Sequence, residues 1–87
     1  MMISMVEFEP VMKLLDDVVN DRTVPKNIRS AAETSKTILT GTESMEIRIS
    51  TVINTLDEII NDPNMPMYAR TKIWNVVSML EQARRSL

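Results

Sequence analysis

LDDVVNDRTVPKNIRSAAETSKTIL, residues 15–39, and LDEIINDPNMPMYARTKIWNVVSML, residues 56–80, are one pattern written twice, 41 positions apart. Seven of the 25 positions are identical: Leu15/Leu56, Asp16/Asp57, Asn20/Asn61, Asp21/Asp62, Pro25/Pro66, Arg29/Arg70 and Leu39/Leu80. Conservative pairs join them, among them Asp17/Glu58, Val18/Ile59, Val19/Ile60, Val24/Met65 and Ser30/Thr71. A period of this size marks a chain built from two like units.

Each copy reads as a helical hairpin. The first helix is predicted from about Ser4 or Glu7 to Val19, with Val11, Met12, Leu15, Val18 and Val19 at helical spacing. Pro10 is tolerated there if the helix begins near Phe8 or Glu9, so the residues before it read as frayed or as a separate turn. Asn20 and Asp21 end this helix, because Asn accepts the left-handed conformation that closes helices. Thr23 or Val24 is the expected N-cap of the second helix, with Pro25 in its first turn. That helix runs to Leu39 on an inward stripe of Ile28, Ala31, Ala32, Ser35, Ile38 and Leu39, and Gly41 follows it.

The second copy repeats these signals. Thr42 and Ser44 supply capping hydroxyls for a helix from about Glu43 to Ile60, carrying Ile49, Val52, Ile53, Leu56, Ile59 and Ile60. Asn64 is the expected N-cap of a fourth helix, which has Pro66 in its first turn and ends near Arg84. Its inward residues are Ala69, Ile73, Val76, Val77, Leu80 and Ala83. The order of signals, apolar helix, turn Asp, Pro and then Arg, follows the grammar of HEAT-type repeats. Two hairpins are too few for an open solenoid, which usually needs three or more. The expected fold is therefore all-α: one domain over residues 1–87, an antiparallel four-helix bundle of hairpins at about 7–40 and 43–86.

Bulk properties narrow the function. The 87 residues bury roughly 60–65% of their unfolded surface, enough for one modest core. The net charge of −2 leaves no basic excess for phosphates, so nucleic-acid binding is disfavoured. The chain has no histidine and no cysteine, which removes the commonest general base, thiolate chemistry and zinc–sulfur sites. No cofactor fingerprint or Gly-rich phosphate loop is present, so no cofactor and no catalysis are expected. No apolar run reaches the ~20 residues that span a bilayer. MMISMVEFEP lacks a basic n-region, so the expected location is cytoplasmic.

Four sets of residues stand out. Asp21 with Arg29, and Asp62 with Arg70, read as charged clamps that fix each turn onto the helix after it. Asp16 and Asp57, with Asp17 and Glu58, place carboxylates at matched positions. If the first and third helices pack side by side, Asp16 and Asp57 would converge as weak candidates for a divalent cation. The same acids also read as a solvated helix face. Trp74 lies four residues after Arg70. A lone Trp at helical spacing is more often core, and the other reading is an exposed interface anchor. Its repeat mate is Glu33, so with Met67, Tyr68 and Arg70 it marks the best candidate for a partner-facing patch. Of the eight methionines, Met2, Met5, Met65, Met67 and Met79 suit irregular core gaps, although Met65 and Met67 flank a turn where exposure is plausible.

The runs NDPNMP, residues 61–66, and ARTKIWN, residues 69–75, within the stretch 55–81 resemble a family of small archaeal proteins known as uncharacterised protein family 0147. LLDDVVNDRTVPKNIRSAAE in the first copy is similar to that family's N-terminal half. The resemblance implies an all-helical fold and an archaeal cytosolic source, and it implies no activity, ligand or site residue. The leading functional expectation is a non-catalytic protein–protein interaction module, with a homodimer among its forms. A carboxylate metal-binding protein using Asp16 and Asp57, and an RNA- or ribosome-associated factor, are the alternatives.

Overall fold

Four helices and no strand make up the described residues of this computed structural model, which covers the backbone of residues 3–87 and side chains from Phe8 on. They are α1 (Ile3–Val19), α2 (Lys26–Leu39), α3 (Met45–Ile59) and α4 (Met67–Arg85). Each packs on its chain neighbours, and α4 also packs on α1, so the helices close a ring. The diagonal pairs α1–α3 and α2–α4 have no such close backbone approach. Short connections make neighbours antiparallel, giving an up-down-up-down bundle of 38 × 20 × 18 Å.

The inward stripes meet in the middle. Val11, Leu15 and Val18 of α1 face Ile28, Ala32 and Leu39 of α2, and the second hairpin adds Ile49, Val52, Leu56, Ile73, Val76 and Leu80. Each large apolar side chain here contributes roughly 1.5–3 kcal/mol by leaving water. Burial repeats at positions 41 apart: Val11/Val52, Leu15/Leu56, Ile28/Ala69, Ala32/Ile73 and Leu39/Leu80 are all buried pairs. Ser35 is the buried polar exception at 0% exposed, and its hydroxyl donates to the Ala31 carbonyl at 2.8 Å. Bonding back to its own helix satisfies it at the position where the second copy has Val76.

Several sequence expectations shift. Pro10 lies inside α1 and not in its first turn. The helix forgoes one backbone bond there, and Phe8, packed against the core, holds the preceding turn on the bundle. The N-caps are Pro25 and Pro66, not Thr23, Val24 or Asn64, and neither makes a side-chain cap bond. Val24 is buried and has no side-chain oxygen to cap with, and the Thr23 hydroxyl is spent on Asp21. Asn20 does not adopt a left-handed conformation, and no described residue has positive φ. The turn closes instead through Asp21 N–H to the Val18 carbonyl and Val24 N–H to the Asp21 carbonyl, at 3.2 and 3.1 Å. Ser44 does cap α3, accepting from the Ile47 N–H at 3.3 Å. The gap-filling expectation holds for Met65 and fails for Met67, which is exposed; for Met2 and the Met5 side chain it lies outside the described residues.

Candidate functional site

Both hairpin turns lie at one end of the bundle and are built alike. Asp21 accepts the Thr23 N–H at 2.9 Å, and Asp62 accepts the Asn64 N–H at 2.8 Å. Each is a carboxylate folded back on the turn it starts. Arg29 and Arg70 do not pair with these carboxylates. Arg29 Nε donates to the Val24 carbonyl and Arg70 Nη2 to the Asp62 carbonyl, both at 3.0 Å. The clamp expected at Asp21/Arg29 and Asp62/Arg70 therefore works through the backbone, because the carboxylates are already occupied and the turn carbonyls need donors. Asp62 also accepts from Asn27 Nδ2 at 3.0 Å, and the Tyr68 hydroxyl meets the Thr23 hydroxyl. The Thr23 hydroxyl and N–H, then Tyr68, hold the Asp21 carboxyl below its ordinary range. Asn27, then the Asn64 N–H, does the same for Asp62.

Asp16 and Asp57 do not converge. They sit on α1 and α3, the diagonal pair, and no group of three acids that could hold a metal occurs among the described residues. Asp16 pairs with Lys36 of α2, and Asp17 lies 3.8 Å from Lys72 of α4. The consecutive acids on α1 thus tie it to both of its neighbours. Asp57 and Glu58 have no such cations, since the residues matching Lys36 and Lys72 are Val77 and Ala31. Both are exposed, and neither forms an ion pair among the described residues.

Trp74 is 50% exposed, so the commoner core reading of a lone Trp fails. At 100° per residue it lies well away from the buried line Ala69–Ile73–Val76–Leu80. Met67, 65% exposed, is seven residues earlier on the same outer stripe. Tyr68 leaves the patch: with Lys72 it lies on the side of α4 turned to α1 and the first turn. Trp74 leans the other way, towards α3, with Val77 and Arg70. On α3, Arg48 and Met45 mark the side facing α2. Ile47, 51% exposed, and Asn54 lie outward. The partner-facing candidates therefore divide: Met67 and Trp74 share the outer surface of α3 and α4, whereas Tyr68 and Arg70 serve the turns.

The family profile described as Uncharacterised protein family (UPF0147) matches residues 2–83. The chain belongs to this family. A UPF0147 protein of Methanocaldococcus jannaschii is 51% identical over 75 residues, covering 85% of this chain and 81% of its own. One from Thermoplasma volcanium is 46% identical over 80 residues, covering 91% and 90%. Among solved structures, a UPF0147 protein from Thermoplasma acidophilum superposes with a TM-score of 0.87 at 42% identity, covering 94% of this chain and 98% of that one. The UPF0147 match settles the all-helical fold and the kinship with archaeal proteins, and it carries no activity across.

At the other end of this UPF0147 bundle, a groove of about 870 Å³ opens between α1 and the α2–α3 connection. Phe8, Met12, Leu39 and Met45 line it, with Arg48 at its edge. Arg48 donates to the Leu39 carbonyl at 2.7 Å and the Glu43 carbonyl at 2.8 Å, fastening the end of α2 to the start of α3. Sequence reasoning missed Arg48, Asn27, the bonds of Thr23 to Asp21 and Tyr68, and the two lysine pairs. One signal pointed to Asn27 and Tyr68, which occupy matching positions in the two copies.

Proposed function

We propose that this chain is a non-catalytic helical interaction module that docks another protein on the outer surface of α3 and α4, around Trp74, with the cytosol as its setting. One observation carries the reading: half of the indole lies in water on a helix whose inner face is already filled. Tryptophan, with tyrosine and arginine, is enriched at the energetic centres of interfaces. Met67, also exposed, lies on the same outer stripe of α4, so the indole is not one of the scattered singles normal for a surface. The test is crosslinking and capture from an archaeal extract with wild type and Trp74→Ala side by side. A partner retained by wild type and lost from the equally folded variant supports the reading. Identical capture by both overturns it.

A further inference from the structure

The two copies supply an internal control for surface chemistry. Positions 41 apart occupy matching places on two hairpins, so the outer surface of α1 and α2 shows what an ordinary solvent face of this scaffold carries. On α2, Lys26, Glu33 and Lys36 become Met67, Trp74 and Val77 on α4. On α1, Glu9 and Lys13 become Ser50 and Asn54 on α3. All five charges are replaced by uncharged residues on one side of the molecule. The acids beside them are kept: Asp16 and Asp17 have their counterparts in Asp57 and Glu58. In the first hairpin these carboxylates meet Lys36 and Lys72, whereas in the second they are exposed and without an ion pair among the described residues. Glu46 on α3 and Glu81 on α4 add to the negative rim. The balancing cations, Arg84 and Arg85, are confined to the last turn of α4. Arg70 is engaged with the Asp62 carbonyl.

We propose that the outer surface of α3 and α4 receives a basic amphipathic helix of a partner protein, its apolar side on Trp74 and Met67 and its Lys or Arg residues against Asp57, which faces α4 as its counterpart Asp16 faces α2. This rests on the docking reading above and specifies the partner's chemistry. An apolar strip takes the anchoring side chains of a helix laid along it. Carboxylates without cations at its edge favour a positive partner and disfavour a second copy, which would bring the same acids. The strip runs along α4 beside the antiparallel α3, a shape that a third helix fills.

The test uses the full chain and two synthetic amphipathic helices, one of Leu and Lys and a twin with Glu in place of Lys. Binding is followed by the anisotropy of the labelled peptide and by the emission of Trp74, the single tryptophan. The Lys peptide is expected to bind, to shift the Trp74 emission to the blue, and to weaken as salt rises. Asp57→Asn is expected to weaken it about two- to fivefold. Equal binding of both peptides overturns the basic partner and leaves the docking surface standing. Binding that neither moves the indole emission nor responds to Asp57→Asn places the peptide elsewhere and overturns the proposal. So does the absence of binding by either peptide, or a concentration-dependent dimer that buries Trp74.

Discussion

Asn27 and Tyr68 stand at matching positions in the two hairpins, and each reaches across to the other hairpin's turn. Asn27 Nδ2 donates to the Asp62 carboxylate at 3.0 Å, and the Tyr68 hydroxyl meets Thr23 beside Asp21. The two turns are therefore bonded reciprocally, by an amide on one side and a phenol on the other. Separate loops become one polar cap on the bundle end.

This cap makes Asn27 and Asp62 energetically coupled. Asn27→Ala and Asp62→Ala should each lower Tm more than Asn61→Ala, an exposed change in the same turn. The double variant should lose less than the sum of the two, because both remove one bond. Additive losses in thermal melts would show that the bond contributes nothing.

The cap is also sensitive to acid. Both Asp21 and Asp62 have carboxyls lowered from 3.8 by hydrogen bonds to the charged form. Their folded pKa values lie below the unfolded ones, so the stability they add is fully present above about pH 4–5 and is lost as pH falls through the folded values. Tm should hold steady from neutral pH down to about 5 and then drop. Asn27→Ala should make that drop shallower, since Asp62 then has less of a shift to lose. Lys36 has the opposite sign: Asp16 raises its pKa above 10.5, so the stability tied to the ammonium is present at neutral pH and is lost as pH rises through the folded value.

Trp74→Ala should leave stability within about 0.5 kcal/mol of wild type, as for a surface change. Leu56→Ala, at a fully buried position, should cost about 2–5 kcal/mol. Denaturant unfolding of the two variants separates them. A large loss for Trp74→Ala would mean that the exposed indole supports the fold and not a partner.

Arg48 is the predicted weak point between the hairpins. Arg48→Ala strips the donors from the Leu39 and Glu43 carbonyls and should cost about 1–3 kcal/mol. Arg48→Lys should recover only part of this, because one ammonium does not reproduce the guanidinium fork. Urea midpoints of the three proteins measure it.

Magnesium, calcium and manganese titrated calorimetrically should give flat traces. Asp16 and Asp57 are on the diagonal helices α1 and α3, and Asp16 is already paired with Lys36. Heat release that disappears in Asp57→Asn would contradict this.

Sequence alone determined the four helices, the hairpin turns and nearly all of the core. Those features follow from local signals, apolar spacing at 3.6 residues, Pro at helix starts and short polar connections, each readable within a few residues. The pattern LDDVVND against LDEIIND also placed the turn aspartates correctly. The tertiary structure alone decided which helices are neighbours. Once α1 and α3 lie on a diagonal, Asp16 cannot meet Asp57, and its partner becomes Lys36. It decided as well that Arg29 and Arg70 bind carbonyls, because the competing backbone donors at Thr23 and Asn64 exist only in the folded turn. Trp74 shows the same division. Its spacing along α4 is local, but whether that side of α4 meets another helix depends on the closure of the ring, and the ring closes without it.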